Sequence, residues 1–492
     1  MLYLTNLTDK NIKVCKTDNK KLKLSGISSN SKSIKKGMLF AVIKGDKKNI
    51  NKYVLDAFKL GARAVLCRKK DVNSLNKNIK NILVSEDIRL AVAKVASEFF
   101  PYQPKNISAI TGTNGKTSIA NFLYEIWKKN KINAACFGTL GIKYKNVNKK
   151  TRLTTLDPIN LHRELNNLNN KKINFLVMEA SSHALDQRRL DKVKIKFAVF
   201  TNLSRDHLDY HKNMKKYFIS KTRLFKNLLD KKGIAVINFD NPYGEKIKII
   251  CDENNIANFT YGFKEECDWR ILEINRLQKF TEVTVKNKNK NYRFRCKLIA
   301  DYEIENLLAA IILANKNGLL INNILKKIGN IKQSEGRLKK IFFKNNIVSI
   351  YIDYAHTPEA LKKSLKALRL LLKPSARLLL VFGCGGDRDK GKRKMMGKIA
   401  ERFADKVFIT DDNPRYENAN HIREEISSYC KKSENIAGRK KAIDKAISKM
   451  KKDDILLIAG KGHEKGQEIK GNVFIFDDEF VAKQIFNKRF TV

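Results

Sequence analysis

The chain has 492 residues and 42% hydrophobic side chains, enough for roughly two to four domains that each bury a core. It carries 100 Lys and Arg against 50 Asp and Glu, a formal charge of +50, but the cations are spread along the whole length. That pattern argues for a basic surface and against a dedicated nucleic-acid-binding arm.

The first residues, MLYLTNLTDKNIKV, lack the apolar run of a signal peptide, and no apolar stretch approaches a membrane span. Eight cysteines show neither Cys-x-x-Cys nor zinc-finger spacing and read as thiols of a reducing cytosol. A cytoplasmic protein is expected.

Strand-like runs at 38–43, 62–67 and 81–85 alternate with helical segments such as KYVLDAFKLG, which predicts a small α/β domain over 1–104. PYQP at 101–104 is its linker. The region 105–333 opens on the strand ISAIT, a glycine loop and the helix TSIANFLYEIWKK. NFLVMEA, FAVFTNL and GIAVINFD follow as buried strands, predicting a parallel sheet of the P-loop ATPase type. Over 334–492 the pattern repeats with IVSIYIDYAH, RLLLVFGCGG, ADKVFITDD and DDILLIAGKG. Each run is apolar and ends in a Gly- or Asp-rich turn, as in a doubly wound, Rossmann-like domain. The expected class is α/β with three domains.

The glycine loop reads Gly112-Thr113-Asn114-Gly115-Lys116-Thr117, followed by Ser118. A general phosphate loop would need a glycine where Ile110 stands, so this loop is tighter. Its N–H groups and the helix start form an anion nest, with Lys116 directed to phosphates and Thr117 to Mg2+. An ordinary βα turn with a surface lysine fits the strand–loop–helix context less well. Glu179, just past a buried strand, suits a Mg2+ ligand or a solvated strand-end acid. Asp206, His207, Asp209 and His211 fall within six residues, as a metal site or only a polar loop. Asp353, Tyr354 and His356 end another strand, and Pro358 opens a helix. Loops bearing Arg388, then Asp412 to Arg415, then Gly460, Lys461, His463 and Glu464 bring opposite charges that could bracket a small zwitterion.

Together these stretches resemble the Mur ligase family across nearly the whole chain. G-T-N-G-K-T is similar to that family's short phosphate loop, shared with folylpolyglutamate synthetases. MEASSH, TNLSRDHLDYH, DYAHTP, GCGGDRDKGKR, DNPR and GKGHE follow in the family's order. The resemblance implies an ATP-dependent amide ligase of peptidoglycan precursor synthesis. Its substrates would be UDP-MurNAc-L-Ala-D-Glu and meso-2,6-diaminopimelate, joined through an acyl phosphate on the D-Glu side chain. ATP would meet Gly112, Thr113, Asn114, Gly115, Lys116, Thr117, Ser118, Asn306, Arg337 and Asp353. A pair of Mg2+ ions would meet Thr117, Glu179, His207 and Lys221, the last as a carbamate. Lys116, His207 and Lys221 would serve the chemistry directly.

The same resemblance implies that the UDP substrate meets Ser31, Asp46, Lys47, Lys48, Thr154, Thr155, Ser181, Gln187 and Arg189. Diaminopimelate would meet Arg388, Asp412, Asn413, Pro414, Arg415, Gly460 and Glu464. A guanidinium at Arg415 suits the distal carboxylate that distinguishes diaminopimelate from lysine, which argues against a lysine-adding relative. The family's Asp-Ser-Arg stands here as Asn30-Ser31-Lys32, and SEGRL replaces a Pro-Gly-Arg-like junction while keeping Arg337. A monomer without a nucleic-acid partner or membrane span is expected. The rival from another class, a basic P-loop nucleic-acid ATPase, would want a full phosphate loop, stacking aromatics and clustered cations.

Overall fold

The computed structural model describes residues 1–19, 21–43, 49–277, 279–331, 333–343 and 348–490; Asp46, Lys47 and Lys48 lie outside them. Its three main sheets have five, eleven and six strands. All eight cysteines are free thiols. Among the described residues no helix is long and apolar enough to cross a membrane.

In the N-terminal sheet, Ile82–Val84, Ala64–Cys67, Leu39–Ala41 and Ile27–Ser28 run parallel, and Lys13–Lys16 adds an antiparallel edge. The helix Ile88–Phe99 buries Ala91, Val92, Val95 and Ala96, the three- and four-residue spacing of one helical face. The Asp87 carboxylate caps it by accepting from the Leu90 N–H at 3.1 Å.

The central sheet is built around Asn106–Thr111, which lies parallel between Phe175–Glu179 and Ile195–Phe200. The parallel block continues through Ala134–Gly138 on one side. On the other it runs through Leu229–Asn238 and Ala257–Gly262 to Trp269–Arg276. Both ends differ from the expected all-parallel sheet. Gly141–Tyr144 with Val147–Lys149, and Thr281–Asn287 with Lys290–Cys296, are antiparallel additions. Their outer strands are largely exposed and carry Lys, Arg and Asn. Such edge strands lack the apolar run that marks a buried strand.

Helices Lys116–Lys129 and Asp301–Lys316 share one core on a single face of this sheet. Asp301–Lys316 is buried along most of its length, which presses Asn306 against the glycine loop.

The C-terminal sheet orders Lys339–Ile341, Ser349–Asp353, Ile455–Ala459, Leu378–Phe382, Lys406–Ile409 and Ser433–Asn435. All neighbours are parallel except the first pair. Pro358–Arg369 and Gly391–Phe403 cover one face, Arg439–Ser448 and Asp478–Phe490 the other. Covering both faces explains why Ile455–Ala459 and Leu378–Phe382 are buried throughout. The loops after Asp353, Phe382, Ile409 and Ala459 therefore emerge on one edge, where doubly wound sheets bind ligands.

Candidate active site

The glycine loop owes its path to two positions that exclude side chains. Gly112 has φ 147° and Gly115 has φ 89°. A Cβ on Gly112 would sit 1.8 Å from Thr201 Oγ1, and one on Gly115 2.5 Å from Asn306 Oδ1. The stretch after the next strand grips the loop from behind. The Thr113 N–H donates to the Asn202 carbonyl at 2.9 Å and the Asn114 N–H to Asn202 Oδ1 at 3.0 Å. Thr201 Oγ1 donates to the Asn114 carbonyl at 2.6 Å. Thr201 and Asn202 were not singled out in the sequence, although both stand in the TNLSRDHLDYH stretch.

Inside the loop two ammonium groups crowd one oxygen. Lys116 Nζ donates to the Gly112 carbonyl at 2.9 Å and the Thr113 carbonyl at 2.8 Å. Lys221 Nζ, on the helix Met214–Arg223, reaches the same Gly112 carbonyl at 2.8 Å. Among the described residues neither lysine has an ion-pair partner. Burial first, and the Lys116 charge second, push Lys221 well below the usual lysine value.

Glu179 ends its strand 2% exposed and accepts from Thr117 Oγ1 at 3.1 Å, the Thr139 N–H at 2.8 Å and Thr139 Oγ1 at 3.2 Å. No cation of the described residues pairs with it. His207 follows with a left-handed backbone, φ 54°. Its Nε2 lies 3.4 Å from Asp206 Oδ2, and burial pushes its pKa down to about 3, leaving a neutral imidazole suited to a metal. The other members of that four-residue stretch are hydrogen-bonded or exposed: the Asp206 carboxylate accepts from the His207 N–H at 2.9 Å. His211 bonds Ser182 Oγ at 3.0 Å and stacks on Tyr217, while Asp209 is exposed. Among the described residues no three His, Cys, Asp or Glu side chains gather for a metal. A buried unpaired carboxylate beside a hydroxyl still fits Mg2+, which takes few protein oxygens and fills its shell with water and phosphate.

The C-terminal domain closes over this loop. Arg205 grips Asp389 through Nε at 2.8 Å and Nη2 at 2.9 Å. Arg337 Nη2 lies 3.3 Å from Thr117 Oγ1, and its guanidinium sits 4.6 Å above the Tyr354 ring. Between the domains lies a cavity of about 240 Å3, bordered by Gly115, Ser118, Asn306, Arg337, Asp353 and Lys363. Arg337 Nε and Ser204 Oγ are buried at its wall with no hydrogen-bond partner among the described residues. Burial raises the Asp353 carboxyl, which accepts from the Leu338 N–H at 2.5 Å and the Ala355 N–H at 2.7 Å.

On the other side of Glu179 a second polar cluster forms. Thr155 Oγ1 donates to the Glu179 carbonyl at 2.7 Å and receives the Ser181 N–H at 3.1 Å. Arg189 donates through Nη1 to the Thr155 carbonyl at 2.9 Å and through Nη2 to Gln187 Oε1 at 2.7 Å. Thr154 joins through Thr139 at 3.2 Å. These five residues therefore come together. Ser31 does not join them by hydrogen bonding; it lies buried in a short turn of the N-terminal domain, where Asn30 Oδ1 accepts from the Lys32 N–H.

The C-terminal loops build a third cluster. Lys461, fully buried, donates to Asn413 Oδ1 at 3.0 Å and lies 3.3 Å from Glu464 Oε2. Asn413 Nδ2 donates to the same Glu464 oxygen at 3.1 Å. Tyr354 Oη reaches Glu464 Oε1 at 3.5 Å. A Cβ on Gly460 would lie 2.6 Å from Asp412 Oδ2, and one on Gly385 would touch both Arg415 and Arg388. Pro414 is buried, Arg388 is exposed, and Arg415 pairs with Glu468. Glu468 carries no sequence mark of a site and was missed.

Comparison with known proteins accounts for this arrangement. Residues 110–314 match the Mur ligase middle domain and 336–462 the Mur ligase, glutamate ligase domain. A UDP-N-acetylmuramoyl-L-alanyl-D-glutamate--2,6-diaminopimelate ligase of Rickettsia conorii is 37% identical over 467 residues, covering 94% of this chain and 95% of that one. One of the same name from Chelativorans sp. is 37% identical, with 95% of each covered. A solved ligase of that name superposes with TM-score 0.67 at 30% identity over 95% of both chains. The MurF ligase of Thermotoga maritima shares the fold at TM-score 0.64 and 18% identity, covering 95% of this chain and 97% of that one. With both domains matched and relatives alike over almost their full length, the chain belongs to the Mur ligase family.

Proposed function

We propose that this chain is the ATP-dependent ligase that joins meso-2,6-diaminopimelate to the D-Glu side-chain carboxylate of UDP-MurNAc-L-Ala-D-Glu. The observation that carries the reading is Arg337. It touches Thr117 of the phosphate loop and stacks over Tyr354, whose hydroxyl meets Glu464 of the third cluster. One residue of the domain junction thus joins a nucleotide site to a site for a small charged molecule.

The chemistry follows from the charges. ATP lies in the interdomain cavity with its phosphates on the N–H groups at the helix start, Gly115 to Thr117, since those of Thr113 and Asn114 are taken by Asn202. The D-Glu carboxylate attacks the γ-phosphorus and ADP leaves. The amine of diaminopimelate then attacks the acyl carbonyl, phosphate departs, and the amine proton is lost to solvent. Lys116 neutralises charge that builds on the transferring phosphoryl group. Mg2+, held by Thr117, Glu179 and His207, would add Lewis-acid charge at the phosphates. Thr154, Thr155, Ser181, Gln187 and Arg189 orient the muramoyl dipeptide, with Ser31 and 46–48 on the uridine side. Arg415 takes the distal carboxylate of diaminopimelate and Glu464 its ammonium, within a pocket shaped by Arg388, Asp412, Pro414 and Gly460.

Lys221 has a separate role. Burial and the Lys116 charge both disfavour the charged form of Lys221, and once its proton is lost the amine is a nucleophile for carbon dioxide. Its amine bonds the carbon, a proton leaves, and the resulting carbamate places an anion beside Lys116. After equilibration with 13C-labelled carbon dioxide, a carbamate carbon resonance should appear in the parent and vanish in Lys221→Ala. A parent without it removes this role.

The function is tested by an acceptor panel. Phosphate release with ATP and UDP-MurNAc-L-Ala-D-Glu should require diaminopimelate and be slight with lysine or ornithine. Equal release with all three, or with none present, overturns the reading.

A further inference from the structure

The guanidinium of Arg415 is already occupied. Its Nε donates to Glu468 Oε2 at 2.9 Å and its Nη1 to the Gly386 carbonyl at 2.7 Å. Glu468 belongs to the first strand of the hairpin Gly466–Ile469 with Asn472–Ile475. Backbone bonds hold the two residues side by side. The Arg415 N–H donates to the Glu468 carbonyl at 3.0 Å and the Lys470 N–H to the Arg415 carbonyl at 2.8 Å. The Glu468 N–H donates to Asn413 Oδ1 at 3.0 Å. Both main chains are thus pinned, whereas the Glu468 side chain keeps 37% of its surface exposed against 18% for Arg415. A rotamer change of Glu468 alone frees Arg415 Nε, while Nη1 stays on the Gly386 carbonyl.

With an acceptor in place, two carboxylates compete for the Arg415 guanidinium. On the reading proposed above, the distal end of the acceptor brings one carboxylate and one ammonium. Arg415 answers the first and Glu464 the second. Glu468 is then a surplus carboxylate on the same guanidinium, and an incoming carboxylate beside it meets like charge.

We propose that Glu468 is an internal stand-in for the acceptor's distal carboxylate. It holds Arg415 aimed while the pocket is empty and turns to solvent when the acceptor takes its place. The inference rests on the diaminopimelate reading. Its consequence is selectivity: an acceptor without a distal carboxylate cannot displace Glu468, and so gains nothing from Arg415.

The test compares full-length parent, Glu468→Gln and Glu468→Asp in steady-state ligation. Gln keeps the length and a hydrogen bond to Arg415 Nε but removes the charge. Asp keeps the charge on a side chain too short to reach. Each should lower KM for diaminopimelate roughly two- to fivefold, the scale of a partly exposed ion pair, and leave that for lysine unmoved. A KM for diaminopimelate that rises or stays constant in Glu468→Gln, at an unchanged melting midpoint, overturns the stand-in and makes Glu468 a fixed support. If Glu468→Gln melts lower, Glu468→Asp decides by the same criterion. Failure of the parent to use diaminopimelate at all rejects the functional reading and is seen before either variant is made.

Discussion

The two charged ends of this site are built on opposite plans. At the phosphate end, Lys116 and Lys221 converge on the Gly112 carbonyl with no ion-pair partner among the described residues. At the acceptor end, Arg415 and Lys461 are already paired, with Glu468 and Glu464. A site short of negative charge attracts any well-shaped polyanion strongly, as a nucleotide site requires. A site whose charges are satisfied internally binds only by exchanging partners, which makes it selective and less tight.

Removing a cation should therefore cost most where none is answered. Lys116→Ala is expected to lower kcat roughly a hundred- to a thousandfold, the scale of losing one donor to developing transition-state charge. Phosphate release in single turnovers measures it. A loss confined to KM for ATP would assign Lys116 to ground-state binding and break the contrast.

Arg415→Ala comes next. A charge-assisted hydrogen-bonded pair is worth about 1.5–3 kcal/mol, so KM for diaminopimelate should rise roughly ten- to a hundredfold. KM for ATP should not change, because no contact of Arg415 reaches the phosphate loop. Equal loss on both substrates would mean that the loop carrying Arg415 had collapsed, and the melting midpoint would fall with it.

The Arg205–Asp389 pair joins the two ends, and its removal should be felt between them. The Asp389 side chain is 6% exposed and that of Arg205 40%, so solvent screens the pair in part. Arg205→Ala should lower kcat/KM for diaminopimelate about two- to fivefold and leave nucleotide binding nearly intact. Small-angle scattering with a non-hydrolysable nucleotide should show a more open chain. Unchanged scattering and kinetics would make the pair incidental to domain closure.

Legibility divided along the same line. The phosphate loop was readable because buried strand, glycine turn and helix leave a local pattern, and Gly112 and Gly115 are demanded by backbone geometry. The apolar strands of the C-terminal sheet were readable for the same reason. Lys221 was visible only through family resemblance, since nothing local separates it from other lysines; its burial against Gly112 is a tertiary fact. Glu468 was not legible at all. Its partner lies across a loop crossing, and its strand is short, half-exposed and polar. The antiparallel edges of the central sheet were missed because solvent-facing strands lose the apolar signal. The Asp206 to His211 stretch was ambiguous in sequence, because only the fold shows that His211 packs on Tyr217.

The smallest effect belongs to a residue outside both charged ends. Ser31 is uncharged, sits in the N-terminal domain, and shares no hydrogen bond with the Thr155–Arg189 cluster. If it meets the uridine side of the substrate, its hydroxyl contributes one neutral hydrogen bond, about 0.5–1.5 kcal/mol. Ser31→Ala should then raise KM for UDP-MurNAc-L-Ala-D-Glu about two- to tenfold, with kcat and the other two KM values constant. The side chain is 9% exposed, so a folding cost must be read separately from the melting midpoint. A constant KM at an unchanged midpoint would place uridine recognition elsewhere in the domain. A shift in kcat would contradict the comparison itself, because a neutral contact from the N-terminal domain should hold the substrate without touching charge in the transition state.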